Sequence, residues 1–230
     1  MKKIVAVNCS PRAAWNTAAL VREAARGAQT QGAKVEIIDL YKLETFTGCI
    51  SCFGCKLPDN LGKCICRDGL APVLETIRNA DGLIIGSPNY LGDVTAGFRA
   101  LFERLVFQSL TYKTEVRSYN QRKIPVLMIM TSNASEELYA QIGYDQMLQR
   151  YQGSFNTFVG PTKILISSDT LQVRVQLHGM LLPNSHTFHE APFRKRSLAW
   201  GWPAHCRSPA PAAPKRQNWH SVVTHLVQKP

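Results

Sequence analysis

The chain has 230 residues, 45% hydrophobic and 19% charged, enough apolar residue for one large α/β domain and too much for a disordered chain. No apolar run approaches the ~20 residues that span a bilayer, so no membrane partner is expected. The net charge of +11 sits mostly at the end: residues 1–170 hold 19 basic and 15 acidic side chains, whereas residues 171–230 hold 8 basic ones and only Glu190, which excludes reading the body as a nucleic-acid surface.

Lys3 to Asn8 is a short, β-branched apolar run, the pattern of a strand buried on both faces. It is shorter than the roughly 7–15 apolar residues of a signal peptide, so a cytoplasmic protein is expected. Its seven cysteines are then expected as thiols. Thr17 to Gln31 predicts a helix ended by Gly32, and Lys34 to Asp39 a second strand. Residues 41–67 form a cysteine-bearing connection. Asp68 is expected to cap a helix carrying Leu70, Val73, Leu74 and Ile77. Strands are predicted at Gly82–Gly86, Ile124–Met130 and Lys163–Ser167, and helices at Thr95–Ser109 and Ser135–Tyr151. Asp93 reads as the cap of the helix beginning near Thr95.

Alternating strands and helices imply a parallel sheet with helices on both faces. Ligands of such sheets bind beyond the carboxyl ends of the strands. After the first strand, Ser10-Pro11-Arg12 and Asn16-Thr17 lead into a helix N-terminus, a ready anion site. The glycine spacing of a dinucleotide fingerprint or P-loop is absent. After the third strand, Ser87-Pro88-Asn89-Tyr90-Leu91-Gly92 offers an aromatic wall and close backbone for a flat ligand.

Together these two motifs resemble the NADPH-dependent FMN reductase branch of the flavodoxin-like superfamily. They are especially similar to members with a cysteine-rich insert, the iron–sulfur flavoproteins. The resemblance covers residues 1–172. It implies a three-layer flavodoxin-like sandwich on a five-stranded parallel sheet in the order 2-1-3-4-5. It also implies FMN phosphate on Ser10, Arg12, Asn16 and Thr17, and isoalloxazine along Ser87, Pro88, Asn89, Tyr90, Leu91 and Gly92. Thr131, Ser132 and Asn133 would form the third loop. Cys9 stands where relatives often have a smaller residue. The implied activity carries electrons from NAD(P)H through FMN to a flavin, quinone or similar small acceptor, or to a redox protein. No catalytic triad is required, because the cofactor carries the chemistry.

Cys49, Cys52 and Cys55 give C-x2-C-x2-C, followed by Cys64 and Cys66. Three readings stand. The first is a [4Fe–4S] cluster closed by Cys64, with Cys66 as its substitute, although the fourth cysteine of iron–sulfur flavoproteins lies nearer than Cys64. The others are a zinc site and a reduced loop without metal. A protein with such a cluster would be an electron carrier. Relatives pair through helices beside the flavin, and Phe98, Leu101, Phe102, Leu105, Val106 and Phe107 exceed one core stripe, so a homodimer is expected.

Residues 173–230 are a different composition. Residues 171–230 hold all 6 histidines, 3 of 4 tryptophans and 7 of 13 prolines. A redox sensor or nucleic-acid-binding scaffold could use this basic, aromatic tail, but it lacks hydrophobic periodicity and any recognisable binding fold, so no nucleic-acid partner is expected. Similarity to the family stops near Val173, where relatives continue into a closing helix. The tail has the mixture that translation out of frame produces. A one-base slip near residue 174, with loss of the C-terminal helix, is the expectation.

Overall fold

The computed structural model describes residues 1–170. The expectations for the tail, its reading frame and the lost closing helix lie outside the described residues. The strands are β1 (Lys3–Asn8), β2 (Lys34–Asp39), β3 (Gly82–Pro88), β4 (Val126–Thr131) and β5 (Thr162–Ser167). The helices are α1 (Asn16–Thr30), α2 (Leu70–Arg78), α3 (Ala96–Ser109), α4 (Glu136–Gln141) and α5 (Tyr144–Phe158). All strand pairs are parallel and the order is β2-β1-β3-β4-β5, as the resemblance implied.

Side-chain alternation divides the core into two layers. Val5, Val7, Leu83, Ile85, Met128 and Met130 face α2, α3 and α5, where Phe98, Phe102, Tyr151 and Phe155 pack as an aromatic group. Ile4, Ala6, Ile84, Leu127 and Ile129 face α1 through Leu20, Val21, Ala24 and Ala28. Strands β1, β3 and β4 are thus covered on both sides, which is why they read as unbroken apolar runs. A Cβ on Gly86 would lie 2.5 Å from Val21 Cγ2, so glycine there lets α1 close onto β3. No helix among the described residues is long and apolar enough to cross a membrane.

Several expected boundaries move. The helix expected at Ser135–Tyr151 is two helices, because Gly143 takes φ +75° and ends the first, while Tyr151 and Phe155 carry the second deeper into the core. The fourth strand begins at Val126, after Pro125, which has no N–H for the ladder. Asp93 does not cap α3. Thr95 does, accepting from the Phe98 N–H at 3.3 Å, while Asp93 accepts from the Tyr151 hydroxyl at 2.8 Å. Asp68 does accept from the Leu70 N–H, at 3.1 Å. The apolar excess of α3 is met partly within the chain. Phe107 packs edge-to-face against Phe53 of the cysteine connection, at 5.5 Å.

Candidate functional site

A parallel sheet puts every strand-end loop on one edge. The segments Asn8–Thr17, Pro88–Thr95 and Thr131–Asn133 therefore meet beyond β1, β3 and β4. The first is shaped by its own side chains. The Asn8 side-chain Oδ1 accepts from the Ser10 N–H at 3.1 Å, and the Ser10 hydroxyl accepts from the Arg12 N–H at 3.1 Å. The Arg12 guanidinium lies 4.7 Å from the centre of the Trp15 ring. Trp15 precedes α1 and provides no side-chain cap, while its carbonyl accepts from the Ala19 N–H at 2.9 Å.

The second loop is tied to both neighbours. The Thr95 hydroxyl donates to the Cys9 carbonyl at 2.7 Å, and the Asn89 N–H donates to the Thr131 carbonyl at 2.7 Å. The Ser87 hydroxyl accepts from the Thr95 N–H at 3.0 Å. Tyr90 and Asp93 exchange backbone hydrogen bonds at 2.7 and 3.1 Å around Leu91 and Gly92, which take φ +53° and +85°. This is a two-residue hairpin turn with both central residues left-handed. Leu91 is fully exposed and Tyr90 partly so. The Asn89 side-chain Oδ1 accepts from the Gly92 N–H at 3.0 Å, but its Nδ2 is buried without a partner. In the third loop the Ser132 hydroxyl accepts from the Ala134 N–H, and Asn133 is exposed.

All the candidate residues of the three loops thus gather on one edge. Ser10, Thr17, Ser87, Thr131 and Ser132 are buried, whereas Arg12, Tyr90, Leu91 and Asn133 reach solvent. Two residues that sequence reasoning passed over complete the edge. Asp39, at the end of β2, accepts from Asn8 Nδ2 at 2.9 Å and pairs with Arg22 of α1 at 3.2 Å. Burial would raise the Asp39 carboxyl, but hydrogen bonds from Lys42 and Asn8 and the charges of Arg22 and Lys42 outweigh it and hold it below the usual carboxylate range. The strand-end rule that found the other loops applies equally to Asp39.

A second candidate site lies in the connection between β2 and α2. Cys49, Cys52, Cys55, Cys64 and Cys66 line one recess together with Arg104 and Gln108 of α3. All six described cysteines are reduced. Ser51 and Phe53, on either side of Cys52, take φ +53° and +57°, so the C-x2-C-x2-C run coils tightly back on itself. Helix α3 grips the backbone beside three cysteines. Glu103 accepts from the Cys49 N–H at 3.3 Å, Gln108 accepts from the Cys64 N–H at 3.0 Å, and Arg104 Nη2 donates to the Cys66 carbonyl at 3.0 Å. Arg104 is 1% exposed and its Nη1 meets both oxygens of Asp68, at 2.5 and 2.6 Å. Lys56 donates to the Phe107 and Leu110 carbonyls at the end of α3.

Burial, reinforced by the neighbouring Cys64, pushes the Cys66 thiol up to about 11, and burial also raises Cys55. Burial opposes the charge of Arg104, but hydrogen bonds to Asp68 and Cys64 outweigh it and raise its affinity for the proton. Among the described residues, no three His, Cys, Asp or Glu side chains are grouped to hold a single metal ion. A cluster instead distributes its thiolates around a cube of iron and sulfide. Five reduced thiols around one recess, backed by a buried cation, have the donor chemistry of that arrangement. Cys66, Arg104 and Gln108 were not singled out as a unit by the sequence, since α3 and the connection are far apart along the chain.

The sequence model described as NADPH-dependent FMN reductase matches residues 2–157. An iron–sulfur flavoprotein of Methanocaldococcus jannaschii is 38% identical over 102 residues, 44% of this chain and 51% of that protein. One of Methanosarcina thermophila is 30% identical over 104 residues, 45% of this chain and 52% of that protein. The chain spans about half the length of the curated relatives it matches. Among solved structures, the NAD(P)H:quinone oxidoreductase of Methanothermobacter marburgensis superposes with a TM-score of 0.62 at 13% identity, covering 76% of this chain and 88% of that one. An FMN-dependent NADH-azoreductase of Bacillus anthracis, in complex with FMN, gives 0.55 at 13% identity, covering 75% and 90%. At these identities the superpositions establish the shared fold.

Proposed function

The chain belongs to the NADPH-dependent FMN reductase family, and from that premise we propose that its sheet edge binds FMN and passes electrons from NAD(P)H to a small acceptor. The observation that carries the reading is the meeting of three loops around a buried, partnerless donor, Asn89 Nδ2. A buried donor without an acceptor costs about 1–3 kcal/mol, and the polar rim of an isoalloxazine would supply that acceptor. The α1 N-terminus suits the phosphate: Ser10, Asn16 and Thr17 offer hydroxyls, an amide and backbone N–H groups, and Arg12 offers charge. Thr17 also fixes the relative position of the first and third loops through Thr131. Pro88, Tyr90 and Leu91 of the second loop and Ser132 and Asn133 of the third would border the ring.

When bound, the flavin supplies the electron-transfer chemistry. The residues of this chain would hold its phosphate and orient its ring by backbone contacts from the hairpin at Tyr90–Asp93. The acceptor class is a flavin, a quinone or a related conjugated molecule, because each takes electrons from a stacked ring without an acid–base group of the protein. The test is anaerobic mixing of the FMN-loaded chain with NADH or NADPH, followed at the flavin absorbance band, and then addition of a quinone. Bleaching by the nicotinamide and recovery on adding quinone are expected; a flavin-free chain that binds no added FMN overturns the reading.

A second reading is favoured by one observation, the convergence of five thiols on one recess. Cys49, Cys52 and Cys55, with Cys64 or Cys66, would hold a [4Fe–4S] cluster, and the protein would be an electron carrier. Iron and sulfide analysis of anaerobically purified protein tests it, four of each per chain being the expected content.

A further inference from the structure

We propose that Arg104 is a positioning residue that sets the redox potential of a cluster held in the cysteine recess, through its charge and a buried, unpartnered N–H. The proposal rests on the second reading above. Arg104 belongs to α3 and not to the cysteine-bearing connection, and its burial is nearly complete. Nη1 is committed to Asp68 and Nη2 to the Cys66 carbonyl. Nε is buried and has no hydrogen-bond partner. Arg104 lines the recess together with Cys64 and Cys66.

A structural role alone does not account for this geometry. A buried ion pair is weak evidence for stability, because well-packed apolar side chains of similar volume often do as well. If Arg104 served only to clamp the connection to α3, its two terminal nitrogens would suffice. The remaining donor is buried in a residue that lines the recess, where a ligated sulfur would offer it an acceptor. An N–H···S hydrogen bond and a nearby fixed cation both favour the reduced form of a thiolate-bound cluster, which raises its potential. Asp68 sets the balance by neutralising part of that charge. Two side chains therefore act on the recess with opposite sign, one as donor and cation, the other as anion.

The opposition in sign provides the test. Arg104→Lys keeps a cation opposite Asp68 and removes the planar Nε donor. Asp68→Asn keeps an acceptor for the Leu70 N–H and removes the anion. Each variant and the wild-type chain would be purified anaerobically, assayed for iron, sulfide and FMN, and titrated potentiometrically at the cluster absorbance. Arg104→Lys is expected to lower and Asp68→Asn to raise the midpoint. Each should change the reduction equilibrium about tenfold, or about 59 mV for a one-electron couple. Shifts of the same sign, or less than about twofold in both, overturn the role of Arg104 while leaving the cluster reading intact. Loss of iron from both variants with FMN retained makes the pair a clamp only, and overturns it as well. A wild-type chain without iron or sulfide removes the cluster reading and this proposal together. If Arg104→Lys does not fold, an unshifted or lowered midpoint in Asp68→Asn is sufficient to refute it.

Discussion

The hydroxyls of Thr17 and Thr131 lie 2.7 Å apart, so the first turn of α1 and the end of β4 are held together directly beneath the candidate flavin site. Both residues are buried, and removing one hydroxyl leaves the other without its partner. Thr17→Val is expected to destabilise the fold by about 1–3 kcal/mol. The double variant with Thr131→Val should cost clearly less than the sum of the two single changes, because no orphaned hydroxyl remains. Urea unfolding of the four proteins measures the coupling, and strict additivity would show that the two hydroxyls do not depend on each other.

Arg12 is exposed beside the α1 N-terminus and stacks on Trp15. Arg12→Ala is expected to weaken FMN binding by about 1.5–3 kcal/mol, the range for a hydrogen bond to a charged group. Binding should also become less sensitive to salt, since one phosphate-facing charge is gone. Quenching of flavin fluorescence at two ionic strengths reads both effects. Riboflavin, which lacks the phosphate, should bind wild-type and variant proteins alike.

The low Asp39 carboxyl makes part of the fold's stability depend on acid. Because its folded value lies below the ordinary carboxylate value, its contribution is complete above about pH 4 and is lost as pH falls through the folded value. Asp39→Asn is therefore expected to reduce stability near neutral pH and to flatten the loss of stability below about pH 4. Denaturant midpoints measured from pH 7 down to pH 3 test the slope. Equal slopes in both proteins would place the acid sensitivity elsewhere.

Leu91 holds φ +53° with its side chain wholly in solvent, an unfavourable conformation for a non-glycine residue with little contact to offset it. Asn tolerates this conformation and suits the first central position of such a hairpin. Leu91→Asn is expected to stabilise the fold by up to about 1 kcal/mol and so to raise the midpoint of thermal unfolding. Slower electron transfer from the nicotinamide in the same variant would show that the exposed leucine serves the reaction and not the fold. A fall in stability would mean that the side chain has contacts in solution, as at an interface between two copies of the chain.

The strands were legible because a doubly covered parallel strand leaves a short, continuous apolar run, and Ile4 to Val7, Leu83 to Ile85 and Val126 to Met130 are such runs. Once their order implied a parallel sheet, the loops after Asn8 and Pro88 had to share an edge. The break at Gly143 was not legible, since a glycine inside a helical pattern is often tolerated, and its left-handed conformation is set only when α5 docks through Tyr151 and Phe155. The recess was half legible. Cysteine spacing marked its thiols, but Glu103, Arg104 and Gln108 look like an ordinary solvated stripe of α3 until the connection folds over them. Tyr151 and Asp93 were missed as a pair for the same reason: their contact spans 58 residues of chain.

The hold of α3 on the connection also bears on how such inserts can be exchanged between proteins. The backbone beside Cys49, Cys64 and Cys66 is fixed by side chains that the connection itself does not carry, and Lys56 in turn satisfies carbonyls at the end of α3. Residues 41–67 are therefore not a transplantable module. A chimera that grafts them onto a flavodoxin-like host would leave the thiol loop without its anchors and the host helix without its lysine. Grafted together with residues 96–110, the same loop would arrive with its own template, and the natural unit of recombination is that discontinuous pair.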